Sequence, residues 1–306
     1  MLFILSIISF LSIHLEPNSF FASGELNPNI SQEALKNLQK IYGLDKPLIV
    51  QYFSWAKAIL TLNFGISFVS GEMVRTEILE KLPTTLLINI SSMILIFAFS
   101  LYFGIKSALK KDKFQAKIIN QISLLSFSMP IFYLCLILLM IFSVKLKVLP
   151  LSGLHSGGLI GFAYYFDTFK HLILPVFVLT FSGIGSLSLY IRSLCLDILK
   201  SDYVFFARAR GLSTKTIIRY FILPNLYPPL VTMLGLSLPA LIGGSVVIES
   251  IFSINAMGFL FYQSVLSHDY PVIMGILMIG AFLSLLGNIL ADIALLYLNP
   301  THKENK

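Results

Sequence analysis

Residues 84–105 read TTLLINISSMILIFAFSLYFGI, twenty-two positions without one Asp, Glu, Lys or Arg. About 20 mostly apolar residues in a helix cross the roughly 30 Å hydrocarbon layer of a bilayer. Four more stretches lack any basic residue and pass the same test: 119–144, 171–191, 227–248 and 272–298. The whole chain agrees with them. Its 306 residues are 56% hydrophobic and 12% charged, with 26 Phe and 13 Tyr, and mean hydropathy is +0.84. Soluble chains carry about 25% charged residues, so this one cannot solvate a water-facing surface of its size. Cys135 and Cys195 lie in or beside apolar runs and read as small buried hydrophobes. These features exclude a soluble, disordered, fibrous or disulfide-stapled protein. They predict an all-α integral membrane protein.

Basic residues in short loops mark the cytoplasmic side. Of the 22, thirteen lie in three segments: the loop with Lys106, Lys110, Lys111, Lys113 and Lys117, the stretch 192–226, and the tail 299–306. The stretch 249–271 has none and 145–170 has three. The net charge of +7 is therefore an inside-positive bias and not a nucleic-acid footprint. A cytoplasmic C-terminus and cytoplasmic N-terminus require an even number of crossings. That promotes residues 1–13 to a short first span, making about six in all. A cleaved signal peptide ending near Ala22-Ser23-Gly24, or a start upstream of Met1, would be the alternatives.

Between that span and the core, residues 14–83 form a small helical extracytoplasmic domainlet. Ser31 is placed to cap a short amphipathic helix over 31–40, with Leu35, Leu38 and Ile41 on one stripe. A second helix is expected over 50–62, around Trp55. Residues 84–298 are the five-helix core, interrupted by the cytoplasmic loop 192–226.

That loop is the most informative stretch. Asp202 suits the N-cap of a helix over 203–210, and its charge suits the helix's positive end. Gly211 sits where a helix ends in left-handed geometry. Ser213 can cap a second helix over 216–221, which Pro224 should break. Tyr203, Phe206, Ala207 and Arg210 fall on one stripe. Such an elbow either packs on its own bundle or is a rigid knob offered to a cytoplasmic partner.

No phosphate-binding loop, H-E-x-x-H, G-x-S-x-G or metal-spaced Cys/His set occurs. No catalytic, cofactor-binding or metal-binding residue is assigned. Asp292 alone among Asp, Glu, Lys and Arg falls inside a predicted span. It lies about 9 Å of helical rise from the end of that span, so interfacial solvation or a helix-pairing bond suits it better than proton relay. Small residues (Gly183, Gly185, Ser186, Gly235, Gly243, Gly244, Gly280, Gly287) should let helices approach closely. Pro130, Pro175 and Pro239 should loosen theirs, as static kinks or as gates.

The segments Asp202-Tyr203-Val204, Ala207-Arg208-Ala209-Arg210-Gly211-Leu212-Ser213 and Leu223-Pro224-Asn225 closely resemble the permease loop of bacterial ABC importers. There a Gly is followed at fixed distance by an I-x-L-P element, and here Phe221 stands at the Ile position. The E-A-A opening of that motif is reduced to Ala207, as in the dipeptide, oligopeptide and nickel branch. Other stretches resemble the same branch. They are Gly43-Leu44-Asp45-Lys46-Pro47 with Gln51-Tyr52, Phe64-Gly65-Ile66-Ser67, Leu82-Pro83-Thr84-Thr85-Leu86 and Leu149-Pro150-Leu151-Ser152-Gly153, then Val246-Val247-Ile248-Glu249 with Ile251-Phe252 and Asp269-Tyr270-Pro271-Val272. The family usually opens with a basic cytoplasmic stub and a full first helix, and both are shorter here.

The resemblance implies a type I ABC importer permease-like bundle in a bacterial inner membrane. Its partners would be a second homologous permease, two cytoplasmic ATPase subunits, an extracytoplasmic substrate-binding protein and membrane lipid, with no nucleic acid. ATP and Mg would be bound by the ATPase partners, and this chain would hold no cofactor and catalyse nothing itself. Asp202, Tyr203, Phe206, Ala207, Arg208, Arg210, Gly211, Leu212, Ser213, Leu223 and Pro224 would form the ATPase-coupling loop. The cargo would be a peptide, with nickel as the alternative. From another class, an ion-coupled secondary transporter would need buried ionisable sites and internal repeats.

Overall fold

The computed structural model describes residues 46–298 except Pro239 and Gly244, together with Ile7 and Phe10. The helix expected over 31–40, the tail 299–306 and, apart from those two positions, the first span over 1–13 lie outside the described residues.

Twelve helices follow one another among the described residues. α1 (Leu48–Leu60) is the second helix expected in the domainlet. A turn held by the isolated bridge between Ile66 and Met73 leads into α2 (Val74–Leu109). Then come α3 (Phe114–Ser128) and α4 (Ile131–Leu138), the latter extended by wide π-helical turns through Lys145. α5 (Phe162–Leu199) is the longest, at 38 residues. The loop helices α6 (Asp202–Ala209) and α7 (Thr214–Ile217) precede α8 (Leu223–Ser237). Three short pieces, α9 (Ala240–Gly243), α10 (Val246–Ile251) and α11 (Met257–Leu266), end at α12 (Tyr270–Leu298).

α2, α5 and α12 are each long and apolar enough to cross a membrane. Only 22%, 39% and 28% of their respective apolar windows is buried. Most of that surface therefore faces outward, which is favourable where the neighbour is lipid or another membrane subunit.

Two of the five expected core spans are not continuous helices. The stretch 119–144 becomes α3 and α4 with the α4 extension, bent by 102° at the joint. Met129 there is extended (φ −78°, ψ 124°) because a following proline disfavours the helical conformation. Pro130 then caps α4, so it makes a corner rather than a kink. The stretch 227–248 is split among α8, α9 and α10. Its two interruptions fall where the sequence has Pro239 and Gly244, whose own placement lies outside the described residues; both residue types oppose a helix interior. Pro175 interrupts nothing: α5 runs through it.

Small residues set the closest crossings. A Cβ at Gly104 would lie 2.7 Å from Ile191 Cγ2, tying α2 to α5. One at Gly185 would lie 2.5 Å from Ser123 O, tying α5 to α3. Gly235 of α8 meets Ala291 and Gly287 of α12. Gly243 and Gly280, expected in the same role, have no described residue within contact of a Cβ.

On the face that carries residues 65–74, Asp269 fastens the domainlet to the core. Ser67 Oγ donates to its Oδ2 at 2.6 Å, and the Phe68 and Val69 amides donate to its carboxylate at 3.2 and 3.3 Å. Asp269 is buried, so these bonds are shielded from competition with water.

Candidate functional site

The elbow is built as two capped turns. Ser201, not Asp202, is the N-cap of α6, with extended φ −69° and ψ 150°. Its hydroxyl is turned back to Ile198 O at 2.6 Å, so it closes α5 instead of capping α6. Asp202 occupies the first turn, where its charge still meets the positive helix end.

At the other end, Gly211 N donates to Arg208 O at 2.9 Å and Leu212 N donates to Ala207 O at 3.2 Å. This paired pattern is a Schellman ending, which needs a left-handed residue at the glycine position. Gly211 has φ +78°, and among the described residues nothing would touch a Cβ there. Backbone conformation is what calls for glycine at this position.

Ser213 then caps α7: Thr216 N donates to its Oγ at 3.2 Å. The helix expected over 216–221 instead begins at Thr214 and continues through π-helical turns at Ile218–Ile222 directly into α8. Pro224 does not break it. It lies in the first turn of α8, where its missing N–H is tolerated.

The expected stripe divides between two faces. Val204 and Ala207 are buried, and Val204 joins a core made of Ala108 from α2, Leu187, Ile191 and Cys195 from α5, Ile217 and Ile222, and Leu226 and Leu230 from α8. Ala207 is buried on the same helix. Tyr203, Phe206, Arg208 and Arg210 face outward with Asp202, Leu212, Ser213 and Pro224, while Leu223 is half-buried. The Tyr203 and Phe221 rings stack at 6.1 Å.

Two exposed aromatics outside the expected stripe join this surface. Phe205 is 65% exposed and packs edge-on against Phe206; Tyr220 is 64% exposed, with Arg219 over its ring. A run of two adjacent phenylalanines beside a charged turn was the available signal for Phe205.

A second set of polar residues gathers between α2 and α9–α11. Glu249 is completely buried. Thr85 Oγ1 and Ser245 Oγ donate to its Oε1 at 2.9 and 2.7 Å, and Phe259 N donates to its Oε2 at 3.0 Å. Asn89 Nδ2 lies 2.7 Å from Ser245 Oγ and 3.0 Å from Leu241 O. Met257 N donates to Thr85 Oγ1 at 2.8 Å. Because these groups are as far apart in sequence as 85 and 259, only the fold brings them together.

Helices long and apolar enough to cross a membrane, with a capped elbow that faces outward, are the architecture of an integral membrane protein rather than a soluble domain. Residues 100–303 match the family described as binding-protein-dependent transport system inner membrane component, and residues 1–89 match the N-terminal family of the same systems. The chain belongs to this family and is a multi-pass inner-membrane permease component. The oligopeptide transport system permease protein AppB of Bacillus subtilis is 38% identical over 90% of this chain and 87% of its own length. The dipeptide transport system permease protein DppB of Lactococcus lactis is 31% identical over 98% and 94%. The nickel import system permease protein NikB of Staphylococcus aureus is 33% identical over 99% and 88%. Among solved structures, an inward-facing form of the MetNI methionine ABC transporter aligns with TM-score 0.57 and 18% identity, covering 72% of this chain and 95% of that one. At that identity the likeness is one of fold.

Proposed function

We propose that this chain is one of two permeases in an ATP-driven, binding-protein-dependent peptide importer, and that residues 202–213 are the surface on which a cytoplasmic ATPase subunit docks. One observation carries the docking assignment. α6 shows two faces, with Val204 and Ala207 buried on one side and Tyr203, Phe205, Phe206, Arg208 and Arg210 exposed on the other. Exposed aromatics and arginines on a rigid mount have the composition of interface anchors. The mount is shared by α2, α5 and α8 through one apolar core, so a push on the elbow moves three helices together.

ATP and Mg²⁺ belong to the ATPase subunits in this reading, and an extracytoplasmic binding protein delivers the cargo. The basic residues around 106–117 and 192–226 support a cytoplasmic elbow, and with it cytoplasmic termini in this reading. Asp292, the one carboxylate expected inside a span, is exposed on the surface of α12 rather than enclosed by the bundle, which gives an ion-coupled secondary transporter no support from that residue. Peptide is favoured over nickel because the oligopeptide-system relative is 38% identical against 33% for the nickel-system one.

Uptake of tritiated trialanine and of radioactive nickel by cells lacking this chain, with and without its restoration, tests the cargo. Restored trialanine uptake with unchanged nickel uptake is expected. Restoration of nickel alone would overturn the peptide assignment.

A further inference from the structure

We propose that Glu249 is a positioning residue for transport. It latches residues 240–259 onto α2, and that segment leaves α2 during each cycle. The inference rests on the importer reading above.

Three observations carry it. First, the chain between α8 and α12 is divided into helical pieces of 4, 6 and 10 residues. Irregular backbone at membrane depth persists only where protein or a water-filled cavity satisfies it. Here α2 supplies part of that satisfaction, through Asn89 to Leu241 O and through Thr85 Oγ1 to Met257 N.

Second, the Glu249 carboxyl is the centre of the joint. It accepts from α2 through Thr85, from its own segment through Ser245 and from the start of α11 through Phe259 N. Gly258 lets α11 start there: a Cβ would lie 2.8 Å from Glu249 Oε2 and 2.9 Å from Val246 Cα.

Third, all these partners are neutral, and among the described residues Glu249 makes no ion pair. A buried carboxyl without a counter-charge is a poor way to stabilise a permanent joint, for which packed apolar residues serve as well or better. The polar joint lies over an apolar core that includes Ile88, Ile248, Phe252, Ile254 and Ala256. It can separate and close again because every polar group in it can be rehydrated. In this reading the latch faces the extracytoplasmic side, where residues 249–271 carry no basic residue.

The test uses the whole transporter, purified with its ATPase subunits and binding protein and placed in nanodiscs. Ser245→Cys keeps a hydrogen-bonding group at a fully buried position, and Cys135 and Cys195 are buried too. The probe is a charged, water-soluble methanethiosulfonate. Labelling of the introduced thiol is expected to rise about tenfold when ATP and loaded binding protein are added, the scale of a 1.4 kcal/mol shift in population. Adding Glu249→Gln to the same background is expected to raise labelling without ATP and to narrow that ratio, while the complex stays assembled. If Ser245→Cys fails to assemble, Asn89→Cys probes the other side of the same contact. Labelling unchanged by turnover, in a complex that hydrolyses ATP at the wild-type rate, overturns the latch and leaves the importer reading standing. Failure of the unmodified complex to hydrolyse ATP counts instead against the importer reading.

Discussion

The elbow and the Glu249 joint are both polar interruptions of an apolar bundle, but they are specified in opposite ways. Each turn of the elbow is fixed by residues within six positions of one another: Ser201 with Ile198, Gly211 with Arg208, Leu212 with Ala207, and Ser213 with Thr216. The Glu249 joint collects Thr85 and Asn89 from 164 and 156 positions away, on the first long helix of the core. Locally coded structure can form before the bundle assembles and then be presented as a unit. A joint made of distant neutral partners exists only when the bundle is assembled, and it is lost whenever the parts move.

The largest stability change that would break this contrast comes from Glu249→Ala. Removing the carboxyl strands Thr85 Oγ, Ser245 Oγ and the Phe259 amide in a dry site, and each unsatisfied buried donor costs about 1–3 kcal/mol. A fall of about 3 kcal/mol or more is expected in the unfolding of the detergent-purified chain, with the elbow's exchange protection preserved.

Asp269→Ala comes next. It frees Ser67 Oγ and the amides of Phe68 and Val69, and the expected effect is about 2 kcal/mol. Because those groups lie on one turn, the loss should be confined to faster amide exchange at 67–70. Faster exchange throughout the domainlet would mean that Asp269 organises more than the turn.

Ser213→Ala is the smallest of the three. Loss of an N-cap costs about 1 kcal/mol, and here it should loosen only the amides of α7. If Ser213→Ala also exposed residues 245–259 to exchange, the two regions would not be independently specified.

What was legible in the sequence follows the same division. The spans at α2, α5 and α12 were plain because roughly 20 uncharged apolar residues have few alternatives in water or lipid. Gly211 and Ser213 were legible because a left-handed ending and a side-chain cap are short-range demands that few residue types meet. Ala207 was grouped with Tyr203, Phe206 and Arg210, yet it is buried while they are exposed, because which side of a short helix is covered depends on the helices it packs against. The sharp bend at Pro130 was read only as a loosening, since the change of direction depends on how α4 finds its neighbours. Glu249 stood within a stretch already recognised as resembling importer permeases, yet nothing around it in sequence announced Thr85 as its partner.

The most direct measurement of the central claim is retention of the ATPase subunits by the tagged permease complex in detergent, comparing wild type with Gly211→Asp. A left-handed backbone such as that at Gly211 costs a side chain roughly 1–2 kcal/mol, less for Asp than for most, and an added carboxylate changes the surface offered to the ATPase. Wild type is expected to bring down its ATPase subunits. Gly211→Asp is expected to insert in the membrane at the wild-type level, retain almost none of them and abolish uptake. Normal retention and normal uptake by a membrane-inserted Gly211→Asp permease would contradict the account.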